Sequence, residues 1–256
     1  MNVVWDPDHY LHFGGHRLRP ALDLMARVPV SAPERIVDLG CGAGNVARFL
    51  GEYWPHARIT GVDQSPEMLA KAFNEGLDVT WVEADLRAWS PDEAPNLIFS
   101  NAVLQWCDDH ETLLPRLLSF VAPGGVLAVQ MPRNHGAASH TCMAAAAKAG
   151  PWADKLAPLL REQPVAEPDY YYDLLSPLAW RLDIWETEYS QILEGENPVV
   201  EWIRGTALKP LLDALDDEEK AGFEANYAKR IAAAYPPSAN GKTLFPFRRL
   251  FIIAQH

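Results

Sequence analysis

Three aspartates and one glycine run are the residues of this chain most able to do chemistry. The run is GCGAGN, in which Gly40, Gly42 and Gly44 alternate and Asn45 closes the pattern. Asp38 stands just before it, at the end of the apolar stretch RIVDL. Asp63 ends a second stretch, RITGVD, roughly 20 residues after the loop, where an acidic residue can accept hydrogen bonds from both hydroxyls of a ribose. Asp85 follows a third, VTWVE, in a place suited to an adenine amino group. A loop of this kind lets backbone approach a ligand closely. The dinucleotide fingerprint would need a further glycine at position 45, and a carboxylate at position 38 suits an ammonium group better than a pyrophosphate.

Each aspartate also has a bland reading. Asp63 could begin the turn before Ser65, and Asp85 could cap a short helix. Taken jointly with Asp38 and the loop, they describe a nucleoside whose other end carries an amino acid. That ligand is S-adenosylmethionine, with S-adenosylhomocysteine as product.

The elements that must position these residues alternate. A helical pattern from Arg17 places Leu18, Leu22 and Met25 on one face. ERIVDLG reads as a buried parallel strand, NVARFLGEYWP as a helix stopped before Pro55, and RITGVDQS as a second strand. SPEMLAKAFN is a helix capped by Ser65 with Pro66 in its first turn, and Met68 there is a candidate ligand-facing residue. VTWVEAD, NLIFSNAVLQW and VLAVQMP supply strands three to five, with the helix HETLLPRLLSFVA between the last two. Such alternation predicts an α/β Rossmann-like fold, a mostly parallel seven-stranded sheet with helices on both faces, binding its ligand at the strand C-terminal ends.

After Pro132 the pattern changes. AASHTCMAAAAKAG is expected to be helical, REQPVAEPDYYYDLL a loop, and WRLDIWETEYSQIL an extended strand. PVVEWIRGTALKPLLDAL and DDEEKAGFEANYAKRIAAAY are expected as two helices before a last strand, TLFPFRRLFIIAQ. The expected organisation is one domain: residues 1–30 as an N-terminal lid, 31–132 as the cofactor core, and 133–256 as cap helices and terminal strands.

Composition narrows the function classes. The 256 residues are 48% hydrophobic and 22% charged, an ordinary globular balance. A formal charge of −12 repels phosphate backbones and argues against nucleic-acid binding. No run approaches the ~18 apolar residues of a membrane span, and MNVVWDPDHYLHF lacks the basic-then-apolar order of a signal peptide. Cys41, Cys107 and Cys142 form no CxxC pair, so neither zinc nor a disulfide framework is expected. A cytoplasmic monomer without membrane or nucleic-acid partners is the expectation.

YLHF, RPALDLMARVP, DLGCGAGN, ARITGVDQSPEMLAKA, WVEADLRAW, LIFSNAVLQW, GGVLAVQMP, YYD, DIWETEY and FRRLFIIA together resemble the trans-aconitate methyltransferase family of class I S-adenosylmethionine-dependent methyltransferases. The stretches run from near Tyr10 to the last strand, and some also occur in related enzymes that esterify a carrier-bound malonyl group. The resemblance implies a cofactor set of Asp38, Gly40, Cys41, Gly42 and Asn45 along the loop. Asp63, Gln64 and Met68 follow strand two, Ala84, Asp85 and Leu86 strand three, and Asn101 and Trp106 strand four.

It also implies methyl transfer to one carboxylate of trans-aconitate, giving a monomethyl ester. A carboxylate with pKa near 4 is already ionised at pH 7, so no general base is needed and no catalytic acid–base residue is assigned. A small polycarboxylate in an acidic protein calls for planar cationic forks. His12, Arg19, Arg133 and Arg248 are the expected anchors, with Arg204 and Lys209 as further cations. Tyr10, Gln105, Trp106 and Tyr172 would line the acceptor, and Tyr171 is a further candidate. Arg248 and Arg249 alternate on a strand, so one of them is expected to face solvent. Three rivals stand beside this reading: a methyltransferase for carrier-bound or other small acids, a nicotinamide-dependent oxidoreductase, and a cofactor-binding protein without catalysis.

Overall fold

The computed structural model describes residues 15, 18–161 and 163–256. Tyr10 and His12 lie outside them. Seven strands run β1 (Arg35–Leu39), β2 (Arg58–Asp63), β3 (Val79–Glu83), β4 (Leu97–Asn101), β5 (Val126–Pro132), β6 (Arg181–Leu193) and β7 (Thr243–Gln255). They form one sheet in the order β3-β2-β1-β4-β5-β7-β6, and the pairs β1–β2, β1–β4, β2–β3 and β4–β5 are parallel. The order reverses between β1 and β4, so a crevice opens where Asp38 and Asn101 end their strands.

Helix α1 (residues 18–25) precedes the sheet and buries Leu18, Leu22 and Met25, the face its periodicity foretold. Helices α2 (Asn45–Tyr53), α3 (Pro66–Asn74) and α4 (His110–Phe120) connect the strands. After β5 come α5 (Ala138–Ala147), α6 (Ala153–Leu156) and α7 (Pro168–Leu175), then α8 (Pro198–Arg204), α9 (Lys209–Asp213) and α10 (Asp217–Ala234).

The described residues form two compact units: those up to 132 with 165–186 and 250–256, and those between 133 and 164 with 187–249. In the first, β1, β4 and β5 are buried almost throughout, because helices cover both faces of a parallel sheet. Its core joins Leu39, Ile98, Leu127 and Val129 to Leu114 and Leu117 of α4 and to Tyr171 and Leu175 of α7. Ser100 of β4 donates its hydroxyl to the Leu39 carbonyl at 3.0 Å, which pins the end of β1. The second unit has its own core, in which Trp152, Phe223, Tyr227 and Phe245 pack with Leu211 and Ile203.

Two sequence expectations fail locally. The tyrosine-bearing stretch expected as loop contains α7, because Pro168 starts a helix well and Tyr171 and Leu175, four apart, bury one face. The helix expected over PVVEWIRGTALKPLLDAL is two, α8 and α9. Gly205 weakens the helix and Pro210 cannot supply its bond to residue 206. No helix among the described residues is long and apolar enough to cross a membrane.

Candidate active site

The glycine loop is folded by steric necessity at two of its glycines. Gly40 has φ 77°, and a Cβ there would lie 2.3 Å from Val103 Cγ2. Gly44, with φ 82°, would place a Cβ 2.9 Å from Trp81. Both positions need a left-handed backbone and space that no side chain can share. The N–H groups of Gly40 and Cys41 donate to the Val62 carbonyl at 2.7 and 3.0 Å, tying the loop to β2. Asn45 begins α2 on an exposed position, so the place where a dinucleotide loop keeps its third glycine has no tight packing to satisfy.

Asp63 clamps the same loop. Its Oδ2 accepts from Gly42 N–H at 2.8 Å and its Oδ1 from Ser65 N–H at 2.9 Å. Ser65 in turn caps α3 by accepting from Met68 N–H, as expected. Each carboxylate oxygen has a second lone pair, and the group is half-buried, so it can still accept from a diol. Gln64 and Met68 are exposed beside it.

Asp38 is almost fully buried, and its Oδ2 has no hydrogen-bond partner among the described residues. Burial pushes its carboxyl up to about 7; the Ala47 backbone N–H pulls the other way, and the nearby Asp63 charge adds to the rise. Across the switch point Asn101 Oδ1 is likewise buried without a partner there. Two partnerless acceptors at adjacent strand ends are what a ligand ammonium would satisfy, so these residues fit the amino-acid end of S-adenosylmethionine. Cys41 is buried against Gly61, and burial together with Asp38 and Asp63 pushes its thiol up, so it serves as packing.

At the adenine end the arrangement is more occupied. Asp85 accepts from Arg87 Nε at 3.0 Å and from Arg87 Nη2 at 2.6 Å, and its Oδ1 also accepts from Arg87 N–H at 2.9 Å. These bonds hold its carboxyl down at about 2 and start a turn over residues 86–88, where the alternative reading had a short helix for it to cap. Ala84, Leu86 and Asp85 are half-buried around that turn. Arg116, which sequence reasoning did not single out, braces the turn by donating to Leu86 O at 2.7 Å and Trp89 O at 2.9 Å.

The exit of β4 departs from ordinary backbone. Ala102 has φ 57°, a left-handed conformation rare for a residue with a Cβ, and it precedes a 3-10 turn over Leu104–Trp106. Gln105 is buried and donates to Ala102 O at 2.7 Å, while Trp106 is exposed. His110 fastens the turn by bonding Leu104 O at 2.8 Å and Tyr171 Oη at 2.8 Å. No sequence pattern could have found these contacts.

The acceptor candidates divide. Tyr171 is fully buried with its hydroxyl on His110, so it is structural rather than a wall. Tyr172, beside it, is exposed. Arg19 is exposed on α1 and pairs with Asp23 at 4.0 Å. Arg204 is bonded to Glu201 and Glu224, and Lys209 to Asp213 at 2.7 Å, so both are closed in surface ion pairs. In the second unit, Arg133 is half-buried and donates its N–H to Arg248 O at 3.0 Å. Arg248 is exposed 3.7 Å from Glu188, whereas Arg249 is buried over the Phe247 ring; the strand alternates as expected. Among the described residues no group of three His, Cys, Asp or Glu side chains could hold a metal.

Comparison with known proteins supports the same direction. The profile of a family described as methyltransferase domain matches residues 36–125. The chain is 49% identical over 251 residues to a trans-aconitate 2-methyltransferase of Azoarcus sp. (strain BH72), covering 98% of each chain. It is 45% identical over 254 residues to a protein of the same name from Methylobacterium radiotolerans, again covering 98% of each. Among solved structures it resembles Haemonchus contortus phosphoethanolamine N-methyltransferase 2 in complex with S-adenosyl-L-methionine. That likeness has TM-score 0.58 and 17% identity over 97% of this chain and 56% of that one.

Proposed function

Because this chain belongs to the trans-aconitate 2-methyltransferase family, we propose that it transfers a methyl group from S-adenosylmethionine to one carboxylate of trans-aconitate. Near-full-length identity of 49% carries the reading of the acceptor, and the partnerless buried Asp38 Oδ2 carries that of the donor. The sulfonium supplies an electrophilic methyl group: a carboxylate oxygen forms the new bond, the methyl–sulfur bond breaks with its pair left on sulfur, and no proton moves.

The chain's own residues therefore position rather than titrate. Asp38 and Asn101 hold the donor's ammonium end. Asp63 accepts from the ribose and keeps Gly42 in place. Asp85 and Leu86 edge the base, and the β4-exit turn with Trp106 borders the transferable methyl. For the acceptor, Arg133 and Arg248 are the cations we propose. Arg204 and Lys209 are bonded to carboxylates, and Arg248 lies 3.7 Å from Glu188. The enzyme acts as a cytoplasmic monomer on a small polyanion, which light scattering of the purified chain would check.

The deciding experiment is a methyl-transfer assay with labelled S-adenosylmethionine against a panel of small di- and tricarboxylates. Ester formation strongest with trans-aconitate is expected. Donor binding without transfer to any member would overturn the acceptor and point to carrier-bound acids. Arg133→Ala is expected to raise the acceptor KM, and an unchanged KM would remove Arg133 from the site.

A further inference from the structure

Recognition of one base needs an acceptor held in a fixed place, and the turn that carries Asp85 and Leu86 is held from outside by a single side chain. Asp85 O accepts from Ala88 N–H at 2.9 Å and from Trp89 N–H at 2.8 Å, which closes the turn. On its β3 side, Ala84 N–H donates to the Asp63 carbonyl at 3.0 Å. That bond spaces the proposed base end from the proposed ribose end through backbone alone.

The other side of the turn is held by Arg116 of α4. Its Nη2 donates to Leu86 O at 2.7 Å and its Nη1 to Trp89 O at 2.9 Å. One planar guanidinium thus fixes two carbonyls, which a point charge on a flexible stem does less well. Arg116 is half-buried, and its Cζ lies 5.4 Å from the centroid of the Phe120 ring, one turn further along α4. The buried Trp89 indole meets that ring edge-on, with centroids 6.2 Å apart and planes at 89°. Arg116, Phe120 and Trp89 form one packed wedge between α4 and the turn, all within the first unit.

The two oxygens of Asp85 do different work. Oδ1 accepts from the Arg87 backbone N–H at 2.9 Å and so belongs to the turn. Oδ2 accepts from the Arg87 side chain alone, at 3.0 Å from Nε and 2.6 Å from Nη2. That side chain is two-thirds exposed, and a surface pair of this kind is displaced at little cost. Oδ2 can therefore turn to a ligand N–H without undoing the turn. Arg87 foremost, and the Arg116 charge in addition, keep the Asp85 carboxyl ionised and accepting.

We infer that Arg116 is a positioning residue for base recognition: through the Leu86 and Trp89 carbonyls it holds Asp85 where Oδ2 accepts from the 6-amino group of the donor's adenine. The inference rests on the donor site of the proposed function and adds the residue that makes that site selective for its base.

Calorimetry on the full chain tests it with two ligands, S-adenosylhomocysteine and S-inosylhomocysteine, in which a ring carbonyl replaces the 6-amino group. The wild type is expected to prefer the adenine ligand by about tenfold or more, because the analogue leaves the placed acceptor unpaired. Arg116→Met keeps an unbranched side chain against the Phe120 ring and removes both donors. Its affinity for S-adenosylhomocysteine is expected to fall about tenfold and that for the inosine ligand by no more than about twofold, so the preference largely disappears. Arg116→Lys keeps the charge without the fork and should fall between the two. Against an Asp85→Ala background, where the acceptor is gone, adding Arg116→Met should leave the ratio of the two affinities unchanged.

A residue that merely stabilised the fold would lower both affinities by the same factor. Parallel losses for the two ligands in both Arg116 variants would therefore overturn the positioning role and leave the proposed function standing. Equal binding of the two ligands by the wild type would overturn it without recourse to any variant. A wild type that binds neither ligand would overturn the donor half of the proposed function, and the role of Arg116 with it.

Discussion

Tyr171 and His110, 61 residues apart in the chain, share a 2.8 Å hydrogen bond whose direction is set by a third group. The Leu104 carbonyl can only accept, so His110 Nε2 carries a proton and donates it there at 2.8 Å, and Nδ1 of the neutral ring accepts the Tyr171 hydroxyl proton. The Tyr171 oxygen in turn accepts from Ala166 N–H at 3.1 Å. The bonds run from α7 through α4 to the turn that bears Gln105 and Trp106. A buried polar chain of this kind is worth most when every member is satisfied.

Tyr171→Phe should therefore cost more than one hydroxyl. It strands His110 Nδ1 and Ala166 N–H in a buried place, a loss of about 1–3 kcal/mol by thermal or urea unfolding. Because the turn carrying Trp106 loses its brace, kcat should fall further than KM for S-adenosylmethionine rises. A variant with wild-type stability and kcat would mean that the bond is incidental.

Asp38 sets stability against function. Its carboxyl is raised in the folded apoprotein from 3.8 to about 7, so between those pH values the folded chain holds a proton that the unfolded chain has released. The sign follows: this group's contribution is fully present below about pH 4 and is lost as pH rises through 7. The span is roughly 4 kcal/mol at most, from three pKa units at 1.36 kcal/mol each. Asp38→Asn removes the titration. The apo variant is expected to be more stable than wild type at pH 8, with the difference shrinking toward pH 4, and to bind S-adenosylmethionine at least about tenfold more weakly. Unfolding curves with and without donor across that range check both halves, and a variant less stable than wild type at pH 8 would refute the buried-charge account.

Much of this was legible in the chain itself, and the reasons are physical. Strands β1, β4 and β5 are buried on both faces, so their runs are mostly apolar, and GCGAGN announces its turn because glycine adopts positive φ without the cost a Cβ brings. The helix breaks were harder. Pro168 opens a helix, whereas Pro210 helps separate two, and the letter alone does not say which. The acceptor cations were legible only as residue types. That Arg204 lies against Glu201 and Glu224 could not be read from the chain. Contacts that join distant positions, such as Val103 on Gly40 or Tyr171 on His110, leave no periodic trace.

The Gly40–Val103 contact yields a paired prediction. Gly40→Ala forces a Cβ into the space of the Val103 side chain and holds alanine at φ 77°, which costs roughly 1–2 kcal/mol before any clash. Adding Val103→Ala relieves the clash and leaves the backbone strain, so the double variant should recover part of the lost stability and donor affinity. Additive losses would show that the two side chains are not in competition. Asn45→Gly, by contrast, restores the dinucleotide spacing at an exposed position. It is expected to leave S-adenosylmethionine binding near wild type and to create no nicotinamide binding, because Asp38 still faces the ligand with a carboxylate.

Asp63 does two jobs with one carboxylate, and graded substitutions separate them. Alanine removes the acceptors for Gly42 N–H and Ser65 N–H together with those for the ribose, so the loop loosens and the donor loses its diol contact. Asparagine keeps one oxygen, enough for one backbone N–H, and presents an NH2 where the other was an acceptor. Donor affinity should fall in the order wild type, Asp63→Asn, Asp63→Ala, by roughly 1.5–3 kcal/mol for the first charged hydrogen bond lost. KM for trans-aconitate, measured at saturating donor, should move much less, since Asp63 belongs to the loop and not to the acceptor's cations. Equal weakening of donor and acceptor in Asp63→Ala would show that the whole crevice collapses without the clamp, and the ribose role would then have no separate support.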